Sequence, residues 1–179
     1  MAGRRRFFAR SAPIVARQLL GWELVVGPCS VVITETEAYT NDDPASHSFR
    51  GMTARNRSMF GDPGTVYVYL SYGMHWCVNI ATGPAGVGEA VLLRGGFPLR
   101  AIEVMALRRP SVRLSTKLTG PGRLTQALGI DRAFDGTDVT AEEGPLLVRP
   151  RWRYSDDVVR ITPRIGITKA VERPWRFTV

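Results

Sequence analysis

Between Thr65 and Ile80 the chain reads TVYVYLSYGMHWCVNI, two β-rich runs broken by a glycine. Few pairings let such a segment bury one face. A two-residue turn at Tyr72-Gly73 would pair Ser71 with Met74. It would set Tyr67, Tyr69, Trp76 and Val78 on one side and Val66, Val68, His75 and Asn79 on the other, mixing polar and apolar groups on both. A three-residue loop, Ser71-Tyr72-Gly73, pairs Leu70 with Met74 instead and gives Gly73 the left-handed position such loops need. Val66, Val68, Leu70, Met74, Trp76, Val78 and Ile80 then share an apolar face, and Tyr67, Tyr69, His75, Cys77 and Asn79 share the other. A one-residue slip would destroy that segregation, so the pattern predicts the three-residue loop. The second face has the composition of a pocket that stacks and hydrogen-bonds a flat ring. Tyr72, at the hairpin tip, reads either as an incidental loop aromatic or, beside Arg50, Arg55 and Arg57, as a wedge for a nucleic-acid groove. Tyr67 and Tyr69 read equally as ordinary cross-strand packing.

The rest of the chain is organised around similar strands. Ser11 reads as an N-cap and Pro13 as first turn of a helix running to Leu20, with Gly21 ending it. Trp22–Val26 and Val31–Tyr39 form a hairpin about Gly27-Pro28, residues 40–52 a turn-rich loop holding His47, and Ala54–Phe60 a short helix. Glu89–Arg94 is a strand. Pro98 opens a helix through Arg109, with Leu99, Ile102, Met105 and Ala106 on its apolar face. Gly120-Pro121-Gly122 precedes a short helix stopping at Gly129, and strands lie near 145–151, 158–168 and 175–179. Strands joined by hairpins with few helices predict an α+β fold: a single compact domain spanning 1–179, with a curved, partly barrel-like antiparallel sheet, a protruding β-hairpin and a few flanking helices. Residues 1–10 are set apart as a candidate flexible start.

With 179 residues and 44% hydrophobic content the chain is long enough for a real core and too short for two full domains. Its net charge is +8, carried almost wholly by arginine, since Lys117 and Lys169 are the only lysines. Arginine suits a polyanionic partner because it pairs with phosphate bidentately. Cys29 and Cys77 form no C-x-x-C motif, and His47 and His75 are the only histidines. A structural zinc or iron–sulfur site therefore lacks ligands, and two reduced thiols are expected. Arg4-Arg5-Arg6-Phe7-Phe8 resembles the start of a twin-arginine export signal, but Arg10, Pro13, Arg17 and Gln18 break the apolar stretch that must follow. No run reaches membrane-spanning length. The expectation is a cytoplasmic protein with no membrane association.

Along Val31–Tyr39, strict alternation puts Val31, Ile33, Glu35, Glu37 and Tyr39 on one side and Val32, Thr34, Thr36 and Ala38 on the other. Carboxylates among apolar residues, followed by a tyrosine, suggest a strand that leaves the core and ends in a cleft. Glu37, next to Tyr39 and the histidine loop, is the candidate general base, with Glu35 exposed or ion-paired; taken alone, the segment reads at least as well as a strand with two solvent-facing carboxylates. Neither lysine lies in a segment that reads as the pocket, so water activated by a carboxylate is the economical chemistry.

Several tokens then match a known family in order and near-identical spacing: Glu35-Thr-Glu-Ala-Tyr39, Ala45-Ser-His47-Ser, Arg55-Asn-Arg57-x-Met-Phe60, Pro63-Gly-Thr-Val-Tyr-Val-Tyr69-x-x-Tyr72-Gly-Met, Cys77-x-Asn79-Ile, Val91-Leu-Leu-Arg94 and Gly120-Pro-x-x-Leu124. From about residue 11 to 179 the chain resembles the alkyladenine (3-methyladenine) DNA glycosylases, which are unrelated to the helix-hairpin-helix type. The resemblance is dense over 31–94 and thin over 131–160. It implies Glu37 as general base for the attacking water, with Arg94 helping to hold that water and the adjoining phosphate. The main-chain carbonyl near Ile165 would complete the water's site. Tyr39, His47 and Tyr69 would stack the flipped base, and Asn79 would disfavour the amino group of normal guanine. Tyr72 resembles the family's wedge. Gly120 and Gly122, at a helix N-terminus, could offer N–H groups to phosphate, alongside Arg55 and Arg57. His75-Trp76 departs in type from the family's aromatic pair, and family members often carry a longer N-terminal extension. The implied partner is double-stranded DNA containing a damaged purine, bound by a monomer without metal or organic cofactor. Two other readings of the basic, aromatic surface stay open. One is a non-catalytic damage- or RNA-binding domain, the other a tRNA- or nucleotide-modifying hydrolase that would prefer RNA.

Overall fold

The computed structural model describes residues 2–110 and 118–179. Among them nine strands join in one antiparallel sheet: β1 Glu23–Val26, β2 Cys29–Tyr39, β3 Val66–Ser71, β4 His75–Thr82, β5 Glu89–Arg100, β6 Leu118–Thr119, β7 Leu146–Arg149, β8 Arg160–Thr162 and β9 Arg176–Thr178. The strand order is β3-β4-β5-β2-β1-β7; β6 pairs with β5, and β9 pairs with β2 and carries β8. Twist accumulates along the two long strands, β2 and β5, and their ladder shifts register three times, so the sheet curls into a half-barrel. Helices α1 Ala2–Phe8, α2 Ala12–Gln18, α3 Ile102–Arg108 and α4 Pro121–Leu128 flank it. This is the α+β domain that the strand pattern predicts.

The concave side is filled from both layers. In α2, Ala12, Val15 and Ala16 are fully buried, as is Leu19 just beyond it, against Val31, Ile33, Val91 and Leu93 of the central strands. The helix ends at Gln18, short of the expected Leu20, and the chain then turns at Gly21, whose φ of +86° and whose approach to Trp152 leave no room for a Cβ (2.6 Å to the Trp152 carbonyl oxygen). Residues 1–10 contain α1, with Phe8 fully buried and Phe7 stacked on Trp22 at 4.2 Å. Among the described residues no helix is long and apolar enough to cross a membrane.

Several expectations need correction. The β3–β4 hairpin has the expected faces but not the expected register: Ser71 pairs with His75 and Leu70 with Trp76, a slip of two. A two-residue slip exchanges no side chain between faces, so the apolar pattern alone cannot detect it. The loop is Tyr72-Gly73-Met74, with Tyr72 and Gly73 both left-handed (φ 50° and 69°). Met74 closes the turn by donating its N–H to Ser71 O (3.1 Å) and is exposed instead of apolar-facing. Pro98 opens no helix. It continues β5, opposite Val31 and next to a register shift, where a missing donor is tolerated. Helix α3 begins at Ile102, leaves Leu99 in the strand, and buries only Met105. The helix expected over Ala54–Phe60 is a single 3-10 turn, Arg57–Phe60, and the strand expected over 158–168 spans only Arg160–Thr162.

The last correction concerns β2. Val31 and Ile33 lie in the core, but so does Ala38, and the Thr36 hydroxyl donates to Ala16 O (2.8 Å) under α2. Alternation breaks between Ile33 and Thr36, where the ladder to β5 shifts register on both sides of Glu35. A bulge re-aims side chains, and here it turns Glu37 and Tyr39 away from the face that Val31 and Ile33 occupy.

Candidate active site

Glu37 is fully buried, and three donors converge on it. Its Oε1 accepts the Ile165 N–H at 2.8 Å; its Oε2 accepts the Tyr39 hydroxyl at 2.9 Å and Arg94 Nη1 at 3.3 Å. Burial raises its pKa above the ordinary carboxylate value. The Arg94 charge, the Ile165 N–H and the Tyr39 hydroxyl pull the other way without offsetting it, and the neighbouring Glu35 charge adds to the rise. The result is a carboxylate more basic than a surface glutamate, the direction a general base at neutral pH needs. Burial and the Glu37 charge likewise hold the Tyr39 phenol far above its usual range, so it stays a donor.

Glu35 is ion-paired and buried. Its Oε1 accepts both Arg94 Nε (2.9 Å) and Arg176 Nε (2.7 Å). Burial alone would raise its pKa, but the hydrogen bonds and charges of Arg176 and Arg94 more than offset this and hold it below the ordinary value. Arg94 bridges the two carboxylates. Burial opposes its charge, and the two carboxylates outweigh burial, so its pKa is raised.

In front of this network opens a cleft of about 450 Å³, within the range of small-molecule pockets. Tyr39, Arg94 and Ile165 line its wall, with Glu37 directly behind them. Its flanks are His47, Tyr67 and Tyr69: the His47 and Tyr69 rings stand 4.5 Å apart at 68°, and Tyr67 and Tyr69 5.5 Å apart at 30°. Met59, Tyr67 and Ala90 form a small separate cluster on which Tyr39 and Tyr69 pack, so the aromatic walls have their own footing. His47 Nδ1 and the Tyr67 hydroxyl lie 2.9 Å apart. Burial among these walls, and next the Arg55 charge, lower the His47 pKa, so its ring is neutral at pH 7. Burial pushes the Tyr67 phenol up to about 12. Asn79 is buried beside the cleft, its Nδ2 donating to Tyr67 O at 3.1 Å.

The structure brings Glu37, Arg94, Tyr39, His47, Tyr69, Asn79 and Ile165 together at one cleft; the contact Ile165 makes with Glu37 is through its N–H. Tyr72 stands at the mouth, 85% exposed. Arg55 also borders the mouth, donating to Leu70 O at 3.2 Å with its guanidinium 5.8 Å from the Tyr69 ring centre. Arg57 lies exposed on the 3-10 turn, away from the cleft wall. Gly120 and Gly122 flank Pro121, which lines the rim where α4 begins, and Gly122 packs so closely on His75 that an added Cβ would lie 2.9 Å from the His75 Cβ. Lys117 lies outside the described residues. The segment before Lys169 is nearer the site than the sequence suggested, since Ile165, Gly166 and Ile167 line the cleft, but Lys169 does not.

Sequence reasoning missed three structural partners. Arg176 braces Glu35 from β9. Arg164 and Asp43, whose side chains are completely buried, form an ion pair that ties the histidine loop to the 163–170 segment. Arg164 also donates to Ala38 O (3.0 Å), and its guanidinium lies 4.6 Å from the Tyr39 ring. Asp43 is one charged residue in a turn-rich stretch, and Arg164 and Arg176 are single arginines in expected strands, so none carries a distinguishing signal. Cys29 and Cys77 are both free and buried, as expected of reduced thiols, and Cys77 also lines the cleft.

Comparison with known proteins gives the family. The profile of the methylpurine-DNA glycosylase (MPG) family matches residues 6–179. A relative from Granulibacter bethesdensis is 50% identical over 171 residues, covering 96% of this chain and 81% of its own. One from Agrobacterium fabrum is 49% identical (96% and 85% covered), and one from Rhodopseudomonas palustris strain HaA2 is 48% identical (97% and 85% covered). All three bear the name "Putative 3-methyladenine DNA glycosylase". With a buried carboxylate behind an aromatic cleft, and a match along nearly its whole length, the chain belongs to the methylpurine-DNA glycosylase family.

Proposed function

We propose that this protein is a monofunctional base-excision enzyme, working as a cytoplasmic monomer, that flips 3-methyladenine, 7-methylguanine and related purines from duplex DNA and hydrolyses the N-glycosidic bond. The observation that carries this reading is the Glu37 site: one basic, fully buried carboxylate, bonded to Tyr39, Arg94 and the Ile165 N–H, directly behind a cleft walled by Tyr39, His47 and Tyr69. In this reading Glu37 takes the proton of the attacking water and Arg94 holds the water and the adjoining phosphate. For water to reach Glu37, one of its present donors gives way, and the Tyr39 hydroxyl is the one on a side chain that the incoming base itself contacts.

Flipping costs least where the base is damaged and pairs poorly. Tyr72 fills the vacated stack, and Arg55, Arg57 and the N–H groups near Gly120 and Gly122 meet phosphates. A cationic purine already has a weakened glycosidic bond and is drawn to electron-rich rings, so 3-methyladenine and 7-methylguanine leave readily. Neutral hypoxanthine or ethenoadenine must be protonated on leaving, and the neutral His47 offers no strong acid, so their excision is slower. Asn79, fixed against β3, rejects the amino group of undamaged guanine.

The test is release of free base from duplexes carrying 3-methyladenine, 7-methylguanine, hypoxanthine or ethenoadenine, run with the wild type and Glu37→Gln. The variant keeps lesion-DNA affinity and loses excision by at least about 10²-fold. Near wild-type turnover by Glu37→Gln refutes the assignment of the base, and no release of any base by the wild type refutes the function.

A further inference from the structure

The carboxylate that the proposed reaction uses does not face its arginine alone. Arg94 Nη1 reaches Glu37 at 3.3 Å, but Arg94 Nε is held at 2.9 Å by Glu35, and the same Glu35 oxygen is held at 2.7 Å by Arg176 Nε. The four side chains form one line of alternating charge, Glu37, Arg94, Glu35, Arg176. Arg176 on β9 sits opposite Glu37 in the strand register, yet its guanidinium bonds Glu35 and the Thr162 hydroxyl (3.1 Å). The bulge around Glu35 in β2 is what brings it beside Arg94, and Gly95 opposite leaves it room: a Cβ there would lie 3.1 Å from the Glu35 Cβ.

We propose that Glu35 and Arg176 are positioning residues for the Glu37 site: they hold Arg94 in place and set how much of its positive charge Glu37 experiences. Arg94 must bind a water and a phosphate without making Glu37 too weak a base. An uncompensated guanidinium within hydrogen-bond reach favours the charged carboxylate and weakens it as a base. Glu35 counters that charge from the far side of Arg94, and Arg176 trims Glu35 in turn. Among the described residues the other charged or titratable groups around Glu37 are the Tyr39 phenol on its own strand, Cys77 on β4, and Arg164, which lies over the Tyr39 ring. None of these touches the Arg94–Glu35 contact.

This inference rests on the excision reading, and its test separates the two. The single-turnover rate of 7-methylguanine release is measured against pH. That base leaves without needing a proton, so the acid limb of the profile reports the proposed general base. Glu35→Gln keeps the shape of the side chain and an acceptor for Arg94, and removes the compensating charge. Its acid limb moves down by about one pH unit or more, and its plateau rate falls as the base weakens. Arg176→Gln does the opposite: Glu35 is left less neutralised, and the limb moves up. A purely structural role for either residue lowers the rate at every pH with the limb fixed. Opposite shifts support the inference; an unmoved limb, or both limbs moving the same way, overturns it while leaving the excision reading standing. If Glu35→Gln proves insoluble, the upward shift of Arg176→Gln alone decides, and an unmoved or lowered limb there overturns it. A wild type that releases no base sinks both readings.

Discussion

Replacing Arg164 by Met tests whether the cleft is held together by a single buried ion pair. The Arg164 and Asp43 side chains are both completely inaccessible to solvent. Arg164 also donates to Ala38 O and, at 3.4 Å, to Ala170 O, and its guanidinium lies 4.6 Å from the Tyr39 ring and 5.4 Å from Trp175. Methionine keeps the apolar stem but leaves Asp43 buried without its counter-ion. Among the described residues Asp43 then retains only the Ala45 N–H (3.0 Å) to its side chain. Breaking one side of a buried pair costs about 3–5 kcal/mol, a large part of the 5–15 kcal/mol typical of a whole domain. One opposing contribution is already present: Arg164 Nε has no hydrogen-bond partner among the described residues, so the pair is not ideally satisfied and the lower end of that range is the better expectation. For a chain of this size the loss corresponds to a fall in Tm of roughly 6–12 °C. Urea unfolding of wild type, Arg164→Met, Asp43→Asn and the double variant gives the coupling directly. The double variant should cost less than the sum of the singles by about 2 kcal/mol or more, because neither partner is then left charged and alone. An Arg164→Met cost below about 1 kcal/mol, the value of an exposed pair, refutes the claim.

Three further expectations concern the cleft itself. Tyr72→Gly should leave folding stability unchanged or raise it by up to about 1 kcal/mol, since the tyrosine is exposed and left-handed at φ 50°. The same variant should bind lesion duplex about 10-fold more weakly through loss of stacking worth ~1–3 kcal/mol, and equal affinity in a fluorescence titration returns Tyr72 to an incidental loop aromatic. The His47 ring should titrate below its ordinary 6.5 in a nitrogen-detected NMR series, and Arg55→Gln should move that midpoint up, because the Arg55 charge is one of its two causes. A depressed histidine favours folding fully above the unfolded value and less as pH falls through the folded one; stability attributable to His47 should therefore fall below pH 6.5, and a midpoint at or above 6.5 contradicts the pocket's electrostatics. Lys169→Ala should release base at the wild-type rate, and borohydride should trap no covalent complex with either protein. A trapped adduct lost on Lys169→Ala would convert the proposed hydrolysis into lyase chemistry.

What could be read from the residues followed the physics of each signal. Face segregation identified the hairpin because a β-strand's period is two, and the same periodicity hid the two-residue slip, which leaves every side chain on its own face. Gly21, Gly73 and Gly129 marked turns correctly, each left-handed in the structure, whereas Pro98 misled because a proline that opens a helix and one beside a register shift look alike in sequence. Local order could not give the rest. Strict alternation placed Glu37 with Val31 and Ile33, and only the long-range ladder to β5 introduces the bulge that turns Glu37 toward the cleft. Arg164 meets Asp43 across 121 residues and Arg176 meets Glu35 across 141, so neither pair leaves a local trace. Several of the residues proposed to contact a substrate are aromatic and share one face of a hairpin, a pattern that sequence can show. Those that hold them are ordinary arginines in a chain already rich in arginine, and their role exists only once the sheet has curled.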